Sequence, residues 1–311
     1  MILVTGAAGF IGSHLVQELS AQGMRVRAVD CFLDDSYPSQ RKIENWKRLE
    51  SLSGVDLQVY DLRKPIDKKI FDGISTVINE AAMPGLMKSW SNFDVYSACN
   101  ISAVNNLLEA ATSNSIKHFV QISTSSVYGN IVSGDEMNPL KPISPYGVTK
   151  LAAEELVRMY SRSHGINYSI LRYFSVYGPR QRPDMAYHKF IQAIIQGKKI
   201  DIFGDGEQVR SNTYVSDCVN ATILASTAEP KNAVFNISGG EAIRLKDAVA
   251  EIENQLKLKA KIEFHKPRVG DQENTISSYR RAAEAFGYNP TTSFQDGIAS
   301  QIAWHRGDEQ F

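Results

Sequence analysis

Cysteine is scarce. Cys31, Cys99 and Cys218 are odd in number and far apart in a chain of 311 residues, so no disulfide framework or zinc spacing can be drawn through them. The six histidines show no ligand spacing either, and no metal is expected. No apolar run approaches the roughly 18 residues that span a bilayer, so no membrane partner is expected. The apolar start, Met1 to Val4, has no basic leader and meets glycines at once, unlike a signal peptide. Net charge is missing as well. Thirty-four Lys and Arg balance thirty-four Asp and Glu, which argues against a global grip on nucleic acid. What remains is 43% hydrophobic and 22% charged, enough to build a sizeable core. These features lead us to expect a soluble cytoplasmic protein of two domains or one large one, at about 150 residues per domain.

Up to about residue 174, short apolar runs alternate with amphipathic stretches. Strands are expected at Ile2 to Val4, Arg25 to Val29, Asp56 to Tyr60, Thr76 to Asn79, His118 to Ile122 and Tyr168 to Arg172. Helices are expected at Phe10 to Leu19, Asn92 to Thr112 and Pro145 to Ser163. This alternation predicts an α/β fold, a Rossmann-type doubly wound parallel sheet whose continuous apolar strands are covered on both faces. Residues 175–311 loosen into Gly-, Pro- and Arg-rich loops between helices at Tyr187 to Gln196, Val215 to Ala228, Leu245 to Leu256 and Phe294 to His305. We expect this part to be a smaller C-terminal α/β substrate-binding lobe. Residues 1–174, rejoined by about 212–239, would form the first unit.

The first chemical motif is Gly6-Ala7-Ala8-Gly9-Phe10-Ile11-Gly12, between a strand and a helix. Glycines there permit a tight turn and let backbone N–H groups approach a pyrophosphate, with the helix N-terminus adding partial positive charge. Asp30, at the end of the next strand, suits an adenosine ribose and disfavours a 2′-phosphate, so NAD is the expected cofactor. The wider GxxGxxG spacing resembles the extended short-chain dehydrogenase/reductase superfamily.

The second motif is Tyr146-Gly147-Val148-Thr149-Lys150, with Tyr and Lys on one helix face. A free phenol is a poor base at pH 7. A neighbouring ammonium, with a positive nicotinamide, is expected to lower its pKa so that Tyr146 can take and return a sugar hydroxyl proton. Ser123-Thr124-Ser125-Ser126 precedes it at the end of a strand, where a substrate-facing hydroxyl is needed.

In this order and spacing the motifs resemble the NAD-dependent epimerase/dehydratase family of nucleotide-sugar enzymes over essentially the whole chain. The resemblance implies a cofactor site of Gly6, Gly9, Phe10, Ile11, Gly12, Asp30, Asp61, Leu62, Ala81, Ala82, Asn100, Ser123, Tyr146, Lys150, Tyr173 and Val176, with Asp61 and Leu62 flanking adenine. It implies Thr124, Tyr146 and Lys150 as catalytic residues. It further implies a UDP-sugar held by Pro84, Ser125, Ser126, Ser175, Arg182, Lys189, Phe203, Arg210, Arg268 and Asp271, the arginines Arg210 and Arg268 on the diphosphate. Many such relatives dimerise through two helices per subunit, here Asn92 to Thr112 and Pro145 to Ser163, so a homodimer is expected.

Within that resemblance, Ser125 and Ser126 stand where dehydratases carry Asp-Glu and where decarboxylases carry Glu. C4 epimerisation is what remains. Ser175, followed by Pro179-Arg180-Gln181-Arg182-Pro183-Asp184-Met185, resembles UDP-glucuronate 4-epimerases, in which the hydroxyl and second arginine hold the sugar carboxylate. The alternatives are a UDP-glucose or UDP-N-acetylglucosamine 4-epimerase, another nucleotide-sugar dehydratase or reductase, or a catalytically silent member. Departures bear on substrate identity: Asn79-Glu80 before the alanine pair, Lys88 one place after an expected basic position at Met87, and Ser211-Asn212, which could loosen the loop carrying Arg210. Cys31 and Cys218 are expected to be small buried hydrophobes, Trp90 and Trp304 core residues, and His188 either near substrate or on a helix surface.

Overall fold

The apolar runs of the first half become parallel strands in a computed structural model of the chain, which describes residues 1–34, 37–114, 116–229, 232–268 and 270–308. They are β1 (Ile2–Thr5), β2 (Val26–Asp30), β3 (Val55–Val59), β4 (Thr76–Asn79), β5 (His118–Thr124) and, after the short β6 (Ile131–Gly134), β7 (Asn167–Tyr173). The second half supplies β8 (Val176–Tyr177), β9 (Lys199–Phe203), β10 (Val209–Ser211), β11 (Thr213–Tyr214), β12 (Ala233–Ile237), β13 (Ala242–Arg244), β14 (Lys261–His265) and β15 (Asn274–Ser277). β12 returns to complete a seven-stranded sheet of order β12–β7–β5–β4–β1–β2–β3. Every pairing in it is parallel. The winding reverses between β1 and β4, which opens a crevice at the carboxyl ends of those two strands.

Helices α1 (Phe10–Ala21), α2 (Gln40–Leu49), α3 (Phe93–Ser97), α4 (Ala103–Ser113) and α5 (Pro145–His164) accompany the first half. The second half carries α6 (Ala186–Ile195), α7 (Val215–Thr227), α8 (Leu245–Leu256), α9 (Arg280–Phe286) and α10 (Phe294–Arg306). Local chemistry sets several ends. Ser144 caps α5 by accepting from Gly147 N–H, Pro145 starts its first turn, and Gly165 closes it in the left-handed conformation at φ 73°. One apolar core, including Leu15, Leu19, Val219 and Phe235, packs α1 and α7 on one sheet face. A second, with Leu107, Leu108, Val157 and Phe119, packs α4 and α5 on the other. Each such side chain contributes about 1.5–3 kcal/mol on burial. A third core joins α6, α8 and α10 over β9.

Four findings differ from the expectation. The stretch 92–112 is not one helix: α3 and α4 are joined by a π-helical turn, Ala98–Ser102. That turn carries Asn100, whose amide binds the Met83 backbone and the Thr149 hydroxyl. α2 was not expected; it is a mostly polar helix that buries Asn45, Trp46 and Leu49 on one face. The later strands were not expected: β8, β10, β11 and β13 are only two or three residues long, and the five-residue β9, β12 and β14 lie among Gly-, Pro- and charge-rich loops. Trp90 is 53% exposed rather than in the core, because it lies against the loop at Gly270 instead of beneath a sheet.

Candidate active site

The crevice is a cavity of about 390 Å³. Its floor is the glycine loop. Gly6 stands at φ +66°, and a Cβ there would lie 2.8 Å from the Ala81 backbone nitrogen. A Cβ on Gly12 would lie 2.2 Å from the Gly6 carbonyl. The loop therefore touches the Glu80–Ala81 segment just after β4, and α1 touches the loop, backbone to backbone. Asp30 holds this loop, accepting from Ala8 N–H at 2.9 Å and Phe32 N–H at 2.8 Å. Each carboxylate oxygen keeps a second lone pair for a ligand hydroxyl. Asp61 lines the wall and is gripped by the Arg63 guanidinium at 2.8–2.9 Å, which holds its carboxyl below the usual range. The cradle and the paired acid fit a dinucleotide.

Phe10, Ile11, Leu62, Ala81, Ala82, Pro84, Ser123, Tyr173 and Val176 also line the cavity. So do Thr124, Tyr146 and Lys150, with Ser125, Ser126, Ser175, Arg182, Arg210 and Asp271. Four of the predicted site residues are not among its walls. Asn100 lies behind it, clamping Met83. Lys189 is exposed on α6. Arg268 is exposed and stacks on the Phe203 ring at 3.3 Å from its centre, so these two pair with each other outside the walls.

The charges around the phenol are not arranged as the motif suggested. Burial raises the Tyr146 pKa, and the opposing positive charge is Arg182, helped by a hydrogen bond with Thr124. Lys150 is itself buried, which pushes its pKa down to about 8, against the pull of Glu80 and Glu154. Arg182 is forked onto Asp184 at 2.8 and 3.0 Å, using two of its five donors. Arg210 is tied to Asp271 at 3.3 Å and to the backbone carbonyls of Val209, Gln272 and Glu273. The Ser211-Asn212 departure tightens this loop instead of loosening it. Asn212 donates to the Arg210 carbonyl at 3.1 Å and accepts from Tyr187 at 2.9 Å, while Ser211 accepts from Ser277 N–H.

Sequence reasoning did not identify Glu80, Tyr37 or Gln272, which share the cavity wall. Gln272 follows Asp271 directly and donates to the Gly129 and Ser125 carbonyls at 2.5 and 3.3 Å. It also did not identify the buried network beneath. Glu154 accepts from Arg172 at 2.7 and 2.9 Å and from Ser123 at 2.6 Å, and Arg172 reaches the Tyr128 hydroxyl. Cys218 is buried as expected, whereas Cys31 lines the cavity with its thiol pKa raised by burial. His188 is neither at the cavity nor on a surface: it is buried, its Nδ1 2.9 Å from the Gln181 carbonyl.

A doubly wound sheet with a glycine cradle at its switch point, and a tyrosine–lysine pair one helical turn apart beside it, defines an extended short-chain dehydrogenase/reductase. The chain belongs to the NAD dependent epimerase/dehydratase family, whose family model matches residues 2–238. It is 42% identical over 308 residues to the Bacillus subtilis protein named "Uncharacterized UDP-glucose epimerase YtcB", covering 97% of each chain. It is 34% identical to the UDP-glucuronate 4-epimerase of Thermodesulfobacterium geofontis, covering 98% of this chain and 95% of that one. Among solved structures, UDP-glucuronic acid 4-epimerase from Bacillus cereus in complex with UDP-glucuronic acid and NAD superposes with a TM-score of 0.94. It has 38% identity, and 99% of each chain is covered.

Proposed function

We propose that this protein is an NAD-dependent 4-epimerase that interconverts UDP-glucuronate and UDP-galacturonate. The observation that carries the reading is one wall. Tyr146 and Thr124 stand beside Ser125, Ser126, Ser175 and Arg182, so the acid/base group shares its space with a guanidinium and hydroxyls suited to a carboxylate. Bound NAD supplies the acceptor, and then the donor, of the C4 hydride. Tyr146 takes the proton from the C4 hydroxyl as that carbon is oxidised, with Thr124 sharing the hydroxyl, and returns it after the 4-keto sugar has turned its other face. Lys150 keeps positive charge at the cofactor end. Ser175 and the three unused Arg182 donors hold the sugar carboxylate. That grip matters because a 4-keto uronate is a β-keto acid and loses carbon dioxide readily. Arg210 and Asp271 would face the UDP part, with Arg268, Phe203 and Lys189 approaching it from outside the walls. Asp30, Asp61 and Asn100 would serve the adenosine end and the loop beside it.

Purified protein incubated with UDP-glucuronate and followed by proton NMR should yield UDP-galacturonate and no pentose. Inertness toward UDP-glucuronate, with UDP-glucose converted in parallel, refutes the uronate reading. The second reading, a neutral-sugar epimerase, is favoured by the Arg182–Asp184 pair, which already neutralises the guanidinium.

We assign cofactor binding to residues 1–174 with about 212–239, and the nucleotide sugar mainly to 175–311. A homodimer is supported by exposed apolar side chains on the helical face: Val148 and Met159 on α5, and Phe93 on α3. The cytoplasm is supported by the cysteines, few in number and joined by no disulfide among the described residues; no helix among the described residues is long and apolar enough to cross a membrane.

A further inference from the structure

Glu80 is the first residue after β4, at the switch point of the sheet, and its side chain enters the same cavity as Lys150, Tyr146 and Tyr173. Its Oε1 is 2.7 Å from the Tyr173 hydroxyl. That hydroxyl is 2.6 Å from the Thr222 hydroxyl, which lies 2.8 Å from the Cys218 carbonyl on α7. The row of oxygens makes three hydrogen bonds, and each needs a proton. Tyr173 and Thr222 supply two. With Tyr173 donating to Glu80 Oε1 and Thr222 donating to the Cys218 carbonyl, the Tyr173–Thr222 contact has no proton; a proton on Glu80 completes the row by freeing the Tyr173 proton for Thr222. The charged and titratable groups facing Glu80 are Lys150 and Tyr146 from α5, Tyr173 from β7 and Cys218 from α7. Burial raises both Tyr173 and Cys218 well above their ordinary values, so both stay neutral. Lys150 is the one cation in this set. Burial outweighs the Tyr173 hydrogen bond and the Lys150 charge and pushes the Glu80 carboxyl up to about 7.

The geometry points to Glu80 as a proton-releasing positioning residue: it is protonated in the nucleotide-free site and loses its proton to solvent when the positively charged nicotinamide of NAD⁺ enters the cavity. The step is Glu80–COOH to Glu80–COO⁻ plus H⁺ in water. It involves no redox change and no bond to the cofactor. The carboxylate left behind offsets the ring charge, so NAD⁺ binding tightens as pH rises through the Glu80 pKa, and NADH, whose ring is neutral, gains less. The inference rests on the cofactor assignment above.

The test is calorimetric titration of nucleotide-free protein with NAD⁺ and with NADH, each in two buffers of different ionisation heat at pH 6, 7 and 8. The buffer dependence counts the protons released. Wild-type protein should release a fraction of a proton with NAD⁺ that shrinks as pH rises from 6 to 8. Glu80→Gln, whose amide can still donate to Tyr173, should abolish the release, and Tyr146→Phe should leave it in place. Equal release in Glu80→Gln and wild type, or loss of release in Tyr146→Phe alone, overturns the proposal. If Glu80→Gln does not fold, infrared difference spectra of wild-type protein decide: a protonated-carboxyl band should vanish on adding NAD⁺, and an unchanged spectrum refutes the idea. Failure of NAD⁺ to bind at all refutes the cofactor assignment itself, and this proposal with it.

Discussion

Arg182 offers the sharpest test of substrate choice. Its guanidinium spends two donors on Asp184, at 2.8 and 3.0 Å, and keeps three. Removing Arg182 alone would strand the Asp184 carboxylate, so the informative variant is the double change Arg182→Met with Asp184→Asn. A charge-assisted hydrogen bond is worth about 1.5–3 kcal/mol. Two such bonds to a uronate carboxylate, discounted for the attraction that Asp184 already consumes, leave roughly 3 kcal/mol, or about a hundredfold. Arg182 also opposes the burial of Tyr146, so its loss raises the phenol pKa and slows every substrate. The ratio of kcat/KM for UDP-glucuronate to that for UDP-glucose cancels this shared effect. We expect the ratio to fall about a hundredfold in the double variant, from about 3 kcal/mol, measured by coupled assay of both epimers at one pH. A ratio within threefold of wild type would refute the carboxylate grip, whatever happened to the absolute rates.

Other outcomes follow from the same geometry. Tyr146→Phe should lower turnover by about 10²–10⁴-fold or more, the span of general acid–base catalysis, while NAD still binds by fluorescence titration. Gly12→Ala puts a methyl 2.2 Å from the Gly6 carbonyl, so it should cost about 1–3 kcal/mol in thermal or urea unfolding and weaken NAD binding in parallel. Glu154→Gln strands Arg172, which is 1% exposed, and should destabilise by about 3–5 kcal/mol in chemical denaturation. Arg172 and Ser123 hold the Glu154 carboxyl below its ordinary value. Its contribution is therefore complete above the unfolded pKa, and is lost only as pH falls through the lower folded one. The wild-type advantage over the Gln variant should narrow in acid, and widening there would contradict the assignment.

The parts of this fold that were legible in the sequence are those whose physics is local. A four-residue apolar run such as Thr76–Asn79, or the Ser144-Pro145 start and Gly165 stop of α5, declares itself because neighbouring residues alone satisfy the backbone. The glycine loop was legible for a related reason. Only residues without Cβ fit where two backbones touch, so the spacing of glycines carries the contact. α2 was not expected although Ile43, Trp46 and Leu49 recur at helical spacing, because the stretch is otherwise polar and charged and reads as a loop. Trp90 misled because size alone says nothing of whether a sheet lies over it.

The sequence by itself determined six of the seven sheet strands, the cradle and the tyrosine–lysine pair, each encoded within a few residues or one helical turn. Only the tertiary structure decided the charges at the site. Tyr146 meets Arg182, 36 positions away, Glu154 meets Arg172 across a strand, and Glu80 meets Tyr173 93 positions away. Electrostatic interaction depends on distance and on how much water remains between groups, and neither is written in the spacing of residues along the chain.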